Sequence, residues 1–323
     1  MTLRIRHSLL VLSLLTAACA GTSAATRAAD SASLSIGEAE RIIGAYRDRQ
    51  PPRTPVIGSL DEVLEVLRLD QIDQFPAAVR FTAAHSDEPR AAVLQAQVHL
   101  AWGEAQRMLA TLLSRETAHL REQTLDLERR AQAGTLPDRD RAVLERLRRT
   151  VAGLAEVSDG LERESTQHLA EGLQLAQKLI ATLPSDYHGY RLAADYDRLR
   201  QDWVGFDAMM SKIEQLHPDS TGYVFLRGVE ALERYGERGR AKRFLREALA
   251  RDPKFARAQV QLLFLRGSID SAFDEYEKLR AMSPNHQVVT WLGPQLALQH
   301  EESLAYKRRR ASRDESLLMG GTR

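Results

Sequence analysis

From Ile36 onward, apolar residues return every three or four positions, and no stretch shows the every-other-residue alternation of a half-buried strand. The spacing predicts an all-α chain, one helix after another. Ser35 with Glu38, and Ser59 with Glu62, have the S-x-x-E spacing of a capping box, in which each side chain satisfies a backbone donor of the first turn. Helices are therefore expected to start at about Ile36 and Leu60. Between them "RQPPRTPVIG", from Arg49 to Gly58, is a proline-rich break.

Two much longer patterns follow. Leu94, Val98, Ala101, Ala105, Met108 and Leu112 fall on one helical stripe, which then shifts through Leu113, Leu120, Leu127 and Ala131. They predict a helix from Glu88 or Pro89 to Ala133, broken at "AGTLPD", where Gly134 can end a helix and Pro137 can begin the next. The second pattern carries Leu147, Val151, Leu154 and Leu161, then Leu169, Leu173, Ala176 and Ile180, and stops at Pro184. Each helix would be about 45 residues, or roughly 65 Å at 1.5 Å per residue. Joined by a short turn, the two are expected to form a long antiparallel, coiled-coil-like helical hairpin. Its tip, rich in Arg and Glu ("LREQTLDLERR", "DRDRAVLERLRR"), would stand out in solvent. The alternative is a pair of kinked helices folded back on the body.

After Pro184 aromatic residues become frequent and a second rhythm begins. The stretches "ATLP", "EQLHP", "LARDP" and "RAMSP" end at Pro184, Pro218, Pro253 and Pro284, at intervals of 34, 35 and 31 residues. Within this period one unit has Gly236 at a turn, Ala241 and Ala248 on a second helix and Pro253 after it. The next has Gly267, Ala272, Tyr276 and Pro284 at nearly the same offsets. Small residues let helices approach closely, and an aromatic fills the hole beside them. Tyr187 to Pro284, about a third of the chain, resembles the tetratricopeptide (TPR) repeat. The first unit, with Phe206 where that family has alanine, is a divergent copy. The resemblance implies a TPR-like helical-repeat solenoid, closed by a helix over Gln287–Tyr306, whose concave surface takes a segment of another protein. An irregular helical bundle with coincidental proline spacing is the alternative. The basic run "YKRRRASR", Tyr306 to Arg313, is expected to be a solvated helix end.

The first residues follow secretory logic: Arg4, Arg6 and His7, an apolar run from Leu9 to Leu15, then small residues. The run is too short to span a bilayer, which takes about 20 residues. Ala18-Cys19-Ala20 fits an ordinary A-x-A cleavage site. Leu15-Thr16-Ala17-Ala18-Cys19 resembles a bacterial lipobox, in which Cys19, the only cysteine, would carry lipid. The second reading is preferred, because a lone cysteine here has neither a disulfide partner nor a catalytic setting. It implies a small, polar tether and a periplasm-facing lipoprotein, with Ala20 pointing to the outer membrane. The expected divisions are a signal peptide over 1–18, a lipidated tether over 19–35, N-terminal helices over 36–86, the hairpin over 87–184, the repeats with their closing helix over 185–306, and a disordered tail over 307–323.

Charge changes little: 45 Lys and Arg against 44 Asp and Glu give a net charge of +1, so nothing favours nucleic acid. Patterns for chemistry are missing. The sequence contains no H-E-x-x-H, no G-x-S-x-G, no phosphate-binding glycine loop and no pair of histidines three or four apart, so neither enzyme nor cofactor nor local metal site is expected. For binding, Ser185–Trp203 gathers Tyr187, Tyr190, Arg191, Tyr196 and Trp203, side chains suited to interface anchoring, although aromatics in such repeats mostly pack. The expected function is a lipid-anchored periplasmic scaffold for another envelope protein, in assembly, secretion or transport. The alternative is a helical component holding a small apolar molecule or glycan in a pocket lined by Trp203, Phe206 and Phe225.

Overall fold

The structure, a computed structural model, describes residues 35–48, 56–68, 71–284 and 286–320. Among the described residues there are twelve α-helices and no strand. Cys19, the apolar run and residues 19–34 of the expected tether lie outside the described residues, as does the side chain of Glu38 in the first capping box.

Three short helices come first: α1 (Ile36–Arg47), α2 (Leu60–Arg68) and α3 (Phe75–Ala84). At the start of α2, Ser59 Oγ accepts from the Glu62 N–H at 3.2 Å, and the Glu62 carboxylate accepts from the Gly58 N–H at 2.9 Å. The box is reciprocal, but its return bond reaches one residue further back than the motif requires.

The helices α4 (Pro89–Gln132) and α5 (Asp138–Thr182) are uninterrupted over 44 and 45 residues, about 66 and 68 Å. The end of α4 is a Schellman turn: the Thr135 N–H reaches Arg130 O at 2.9 Å and the Gly134 N–H reaches Ala131 O at 3.0 Å. Gly134 has φ 69°, a conformation that costs a side-chain-bearing residue about 1–2 kcal/mol. Pro137 stands just before α5 in extended conformation instead of opening it, and Asp138 and Asp140 face the positive end of its dipole. Residue numbers run in opposite senses where the two helices touch. Glu128 accepts from Arg148 at 2.8 Å, Ala110 O from Ser158 at 2.9 Å and Gly103 O from Ser165 at 2.6 Å.

The first stripe has a different partner from the one its length suggests. Leu94, Val98 and Ala101 pack on α2 and α3, with Val63, Phe75 and Ala78. Ala96 and Leu100, on another face, meet α5. Further along, Leu113 and Leu120 turn into α5, and Met108 is left 47% exposed. The stripe shifts because α4 has different neighbours along its length. The N-terminal helices coat this pair: α1 lies on α5, with Ile43 beside Leu154 and Arg146 forked onto Glu40 at 2.7 and 2.6 Å.

Seven helices follow: α6 (Tyr187–Arg200), α7 (Trp203–Leu216), α8 (Thr221–Glu233), α9 (Arg238–Arg251), α10 (Ala256–Phe264), α11 (Ile269–Met282) and α12 (Gln287–Gly320). Side chains of Asp186, Asp202, Ser220 and Ser268 cap α6, α7, α8 and α11 by accepting first-turn N–H groups. Pro184, Pro218, Pro253 and Pro284 each stand just beyond the last turn of α5, α7, α9 and α11, where a residue without an N–H cannot continue a helix. Ala241, Ala248, Ala272 and Tyr276 are buried, Gly236 has φ 67° in the turn before α9, and Gly267 is exposed before α11. Phe206, Ile213 and Leu245 are fully buried in one cluster, each worth about 1.5–3 kcal/mol of apolar burial. The tail differs from expectation. Residues 307–320 continue α12, since "KRRRASRDESLLM" holds no breaker before Gly320, and Lys307 and Ser303 both reach Asp270 of α11.

Candidate functional site: the junction of the long and short helices

The sequence places Asp195 and Arg198 one turn apart on α6, and packing of α6 against α4 and α5 drives both inward. Arg198 is 5% exposed and serves three carboxylates: Asp195 at 2.9 Å, Glu104 of α4 at 2.9 Å and Glu233 of α8 at 3.0 Å. Arg257 of α10 reaches Glu104 at 2.6 Å and Asp195 at 3.3 Å. One network therefore ties α4 to α6, α8 and α10.

Its electrostatics are balanced by proximity. Burial alone would raise the pKa of Asp195 and of Glu104, but the guanidiniums of Arg257 and Arg198 outweigh it and hold both carboxyls below their usual range. Burial would likewise lower Arg198, yet Glu104, Asp195 and Glu233 push it well above the ordinary arginine value. Glu233 moves upward, because burial prevails over its single bond to Arg198. The rim stays wet: Glu104, Glu233 and Arg257 keep about a third of their side-chain surface.

The five residues expected to bind a partner lie around this junction, and all five are half-buried. Tyr187 and Tyr190 pack on the core of the short helices, and the Tyr190 hydroxyl donates to Pro184 O at 3.2 Å. Arg191 lies against Gly222 of α8 and the Gln97 amide of α4, whose oxygen accepts from it at 2.9 and 3.3 Å. Desolvation lowers the pKa of that guanidinium. Tyr196 packs among Leu192 and Leu199. Trp203 meets Phe206 edge-on at 5.6 Å and carries Arg234 5.6 Å above its ring. Arg234 also lies 5.1 Å from the ring of Tyr235, and beside this stack Val204 is 82% and Tyr235 50% exposed.

Neither Phe206 nor Phe225 lines an opening; both are consumed by the core. A cleft does lie near the junction, lined by Pro89, Arg90, Val93, Leu179, Asp186 and His188, but at about 220 Å³ it is smaller than the roughly 300–1,000 Å³ of small-molecule sites.

A second cluster lies between α4 and α5. His99, 5% exposed, brings Nδ1 to 3.1 Å from Nδ1 of His168 and 2.9 Å from Oε2 of Glu171; His168 Nδ1 is 3.6 Å from the same oxygen. The ring of Trp102 stacks on His168 at 4.0 Å. Burial depresses both imidazole pKa values, against the opposing pull of Glu171. Two imidazole nitrogens and one carboxylate oxygen, donors of types that bind metals, thus lie within 4.8 Å of one another, a grouping that histidine spacing along the sequence does not reveal. The signal lay in His168-x-x-Glu171, one turn of one helix, completed by a histidine 69 residues away in sequence.

No protein-family model matches the chain, and comparison with the curated proteins gives no match. Among the described residues, no helix is long and apolar enough to cross a membrane.

Proposed function

We propose that this protein is a lipid-anchored, periplasm-facing helical scaffold that docks another envelope protein. In this reading Cys19 carries the lipid, α4 and α5 form a hairpin, and α6–α11 are three stacked TPR-like pairs. The observation that carries it is the shared face of α6, α8 and α10. The first helix of each pair sends a charged side chain (Asp195 and Arg198, Glu233, Arg257) into one network. First helices lining a common face are what a repeat stack predicts, and that face is where such stacks hold partners. The prolines after α7, α9 and α11 support the same periodicity.

One feature departs from an open groove. Glu104 of α4 already sits on that face, paired with Arg198 and Arg257. The partner surface is therefore the accessible margin, where Trp203, Arg234 and Tyr235 stack beside Val204. Aromatic and arginine side chains with one exposed face are common interface anchors.

The test is photo-crosslinking in intact cells from positions 204 and 235, in wild type and in Cys19→Ser. Capture of one dominant envelope protein by the wild type, lost or reduced when Cys19 is replaced, is the expected result. Equal membrane recovery and identical crosslinks for both versions would remove the anchor from the reading. Absence of any specific crosslink from either position would remove the docking surface.

A further inference from the structure

The cluster between α4 and α5 is unused by the docking reading. We propose that His99, His168 and Glu171 form a binding site for one divalent transition-metal ion, with Zn²⁺ the cation whose donor preferences fit it best.

The geometry carries the argument. Ligand atoms around a tetrahedral Zn²⁺, bonded at about 2.0–2.1 Å, stand about 3.3 Å apart. The three separations here, 2.9, 3.1 and 3.6 Å, bracket that distance. A triangle with these sides leaves a point about 0.8 Å above its plane that is about 2.05 Å from all three atoms, so the donor spacing suits one ion. Two imidazole nitrogens and one carboxylate oxygen suit a borderline cation, whereas Ca²⁺ and Mg²⁺ require oxygen cages.

The surroundings are those of a built site. His99 and His168 come from helices that pair along their length, so the separation of their rings is fixed by backbone packing: one turn on, Ser165 Oγ donates to Gly103 O at 2.6 Å. Trp102 covers one face of His168 at an interplanar angle of 19°, which sets the ring's orientation. Side-chain exposure rises from 6% at His99 through 15% at His168 to 39% at Glu171, giving the ion an entry path from the Glu171 side. Glu164, one turn before His168, adds a further negative charge beside the site while holding Gln106 at 2.7 Å. Three protein ligands leave a fourth position for water or a partner's side chain. A metal-free alternative exists, in which one shared proton links the two Nδ1 atoms and Glu171 Oε2.

The experiment uses the full-length protein, stripped with a chelator and titrated with Zn²⁺ by calorimetry and with Co²⁺ by visible absorption. Expected are one ion per chain, a Kd of about 1 μM or tighter, and a tetrahedral Co²⁺ band. Losing an outer-shell partner costs about 10–100-fold in affinity, so losing a ligand in Glu171→Gln or His168→Asn should cost at least about 100-fold. Glu171 is half-exposed, so Glu171→Gln should keep the wild-type helical spectrum. A Zn²⁺ concentration 100 times the Kd should raise the Tm by about 5 °C in wild type and leave Glu171→Gln unmoved. Absent saturable binding, or wild-type affinity in both variants, would overturn the site in favour of the shared proton. So would loss of binding in Cys19→Ser, which would make the thiol the ligand.

Discussion

Removing Arg198 tests whether the buried network holds the long helices to the short ones. Arg198→Met keeps much of the apolar stem and deletes a charge that serves three carboxylates within 3.0 Å. Breaking a buried pair by removing one partner costs about 3–5 kcal/mol, because the charge left behind is uncompensated. The lower end applies here. Arg257 still bridges Asp195 and Glu104, and Glu104 and Glu233, at 34% and 38% exposure, can draw on water. About 3 kcal/mol at pH 7 corresponds to a fall in Tm of roughly 5 °C for a chain of this size. Urea denaturation followed by helical circular dichroism measures it.

The pH dependence of this loss separates charge from packing. In the wild type, Asp195 and Glu104 titrate below their unfolded values. The stability they contribute is present above about pH 4–4.5 and lost as the pH falls through their lower folded values. Without Arg198 the same carboxyls move upward and take protons in the folded state at higher pH, so the variant regains ground on acidification. The deficit should shrink by at least about 1 kcal/mol between pH 7 and pH 4.5. A deficit under about 1 kcal/mol at pH 7, or one constant across that range, would refute the electrostatic account. Arg198→Lys, with charge but without the fork, should fall in between.

Asp197, pushed up to about 6 by burial and by Asp202, carries the opposite sign: its charge costs stability above pH 6, and the cost vanishes as the pH falls below 4. Asp197→Asn should therefore raise stability by about 1 kcal/mol at pH 7.5, by about a third of that near pH 4.5 and by nothing near pH 3, measured by paired urea melts. Gly189→Ala would set a Cβ 2.9 Å from the backbone nitrogen of Ile180 and should cost about 1–3 kcal/mol as α6 is forced off α5; an unchanged melt would show that α6 has room to shift. Phe206→Ala should lose about 3–5 kcal/mol and thereby exclude the idea that this ring lines a ligand cavity; a loss under 1 kcal/mol with new binding of apolar dyes would restore it.

Local signals in the sequence carried most of the helical layout. Pro89 and Gly134 mark the ends of α4 because their backbone constraints act within one turn, and Pro184, Pro218, Pro253 and Pro284 mark helix ends for the same reason. Tertiary partners were not legible. The stripe Leu94, Val98 and Ala101 announced a buried face but not that α2 and α3 bury it. Charged residues such as Glu104 and Arg257, 153 positions apart, carry no local mark of pairing. Met108, on the predicted stripe, is exposed because α4 changes partner there. His99 was missed for the same reason as Glu104, since its companions lie on another helix. The aromatic stretch Tyr187–Trp203 was legible as a concentration of large side chains, but not which core each would join: Tyr187, Tyr190 and Trp203 pack on the core of the short helices and Tyr196 on the cluster shared with α4 and α5.

Under the proposed docking reading, the position of Glu104 bears on how a partner would engage this protein. A ligand segment laid across α6, α8 and α10 would have to replace two arginine–carboxylate bonds, at 2.9 and 2.6 Å, with contacts at least as good, or leave the buried Arg198 with two of its three carboxylates. An acidic side chain could do so, and α4 would then release part of its hold on the short helices. A partner that binds only at the Trp203–Arg234–Tyr235 margin meets no such cost, because Arg234 keeps its bond to Asp207 at 2.8 Å and offers the open face of its stack. The two modes differ in their response to one change. Glu104→Gln weakens the internal occupant, so it should strengthen binding across the face and leave binding at the margin unaltered, and the crosslinking yield from position 204 in that variant reads out the difference.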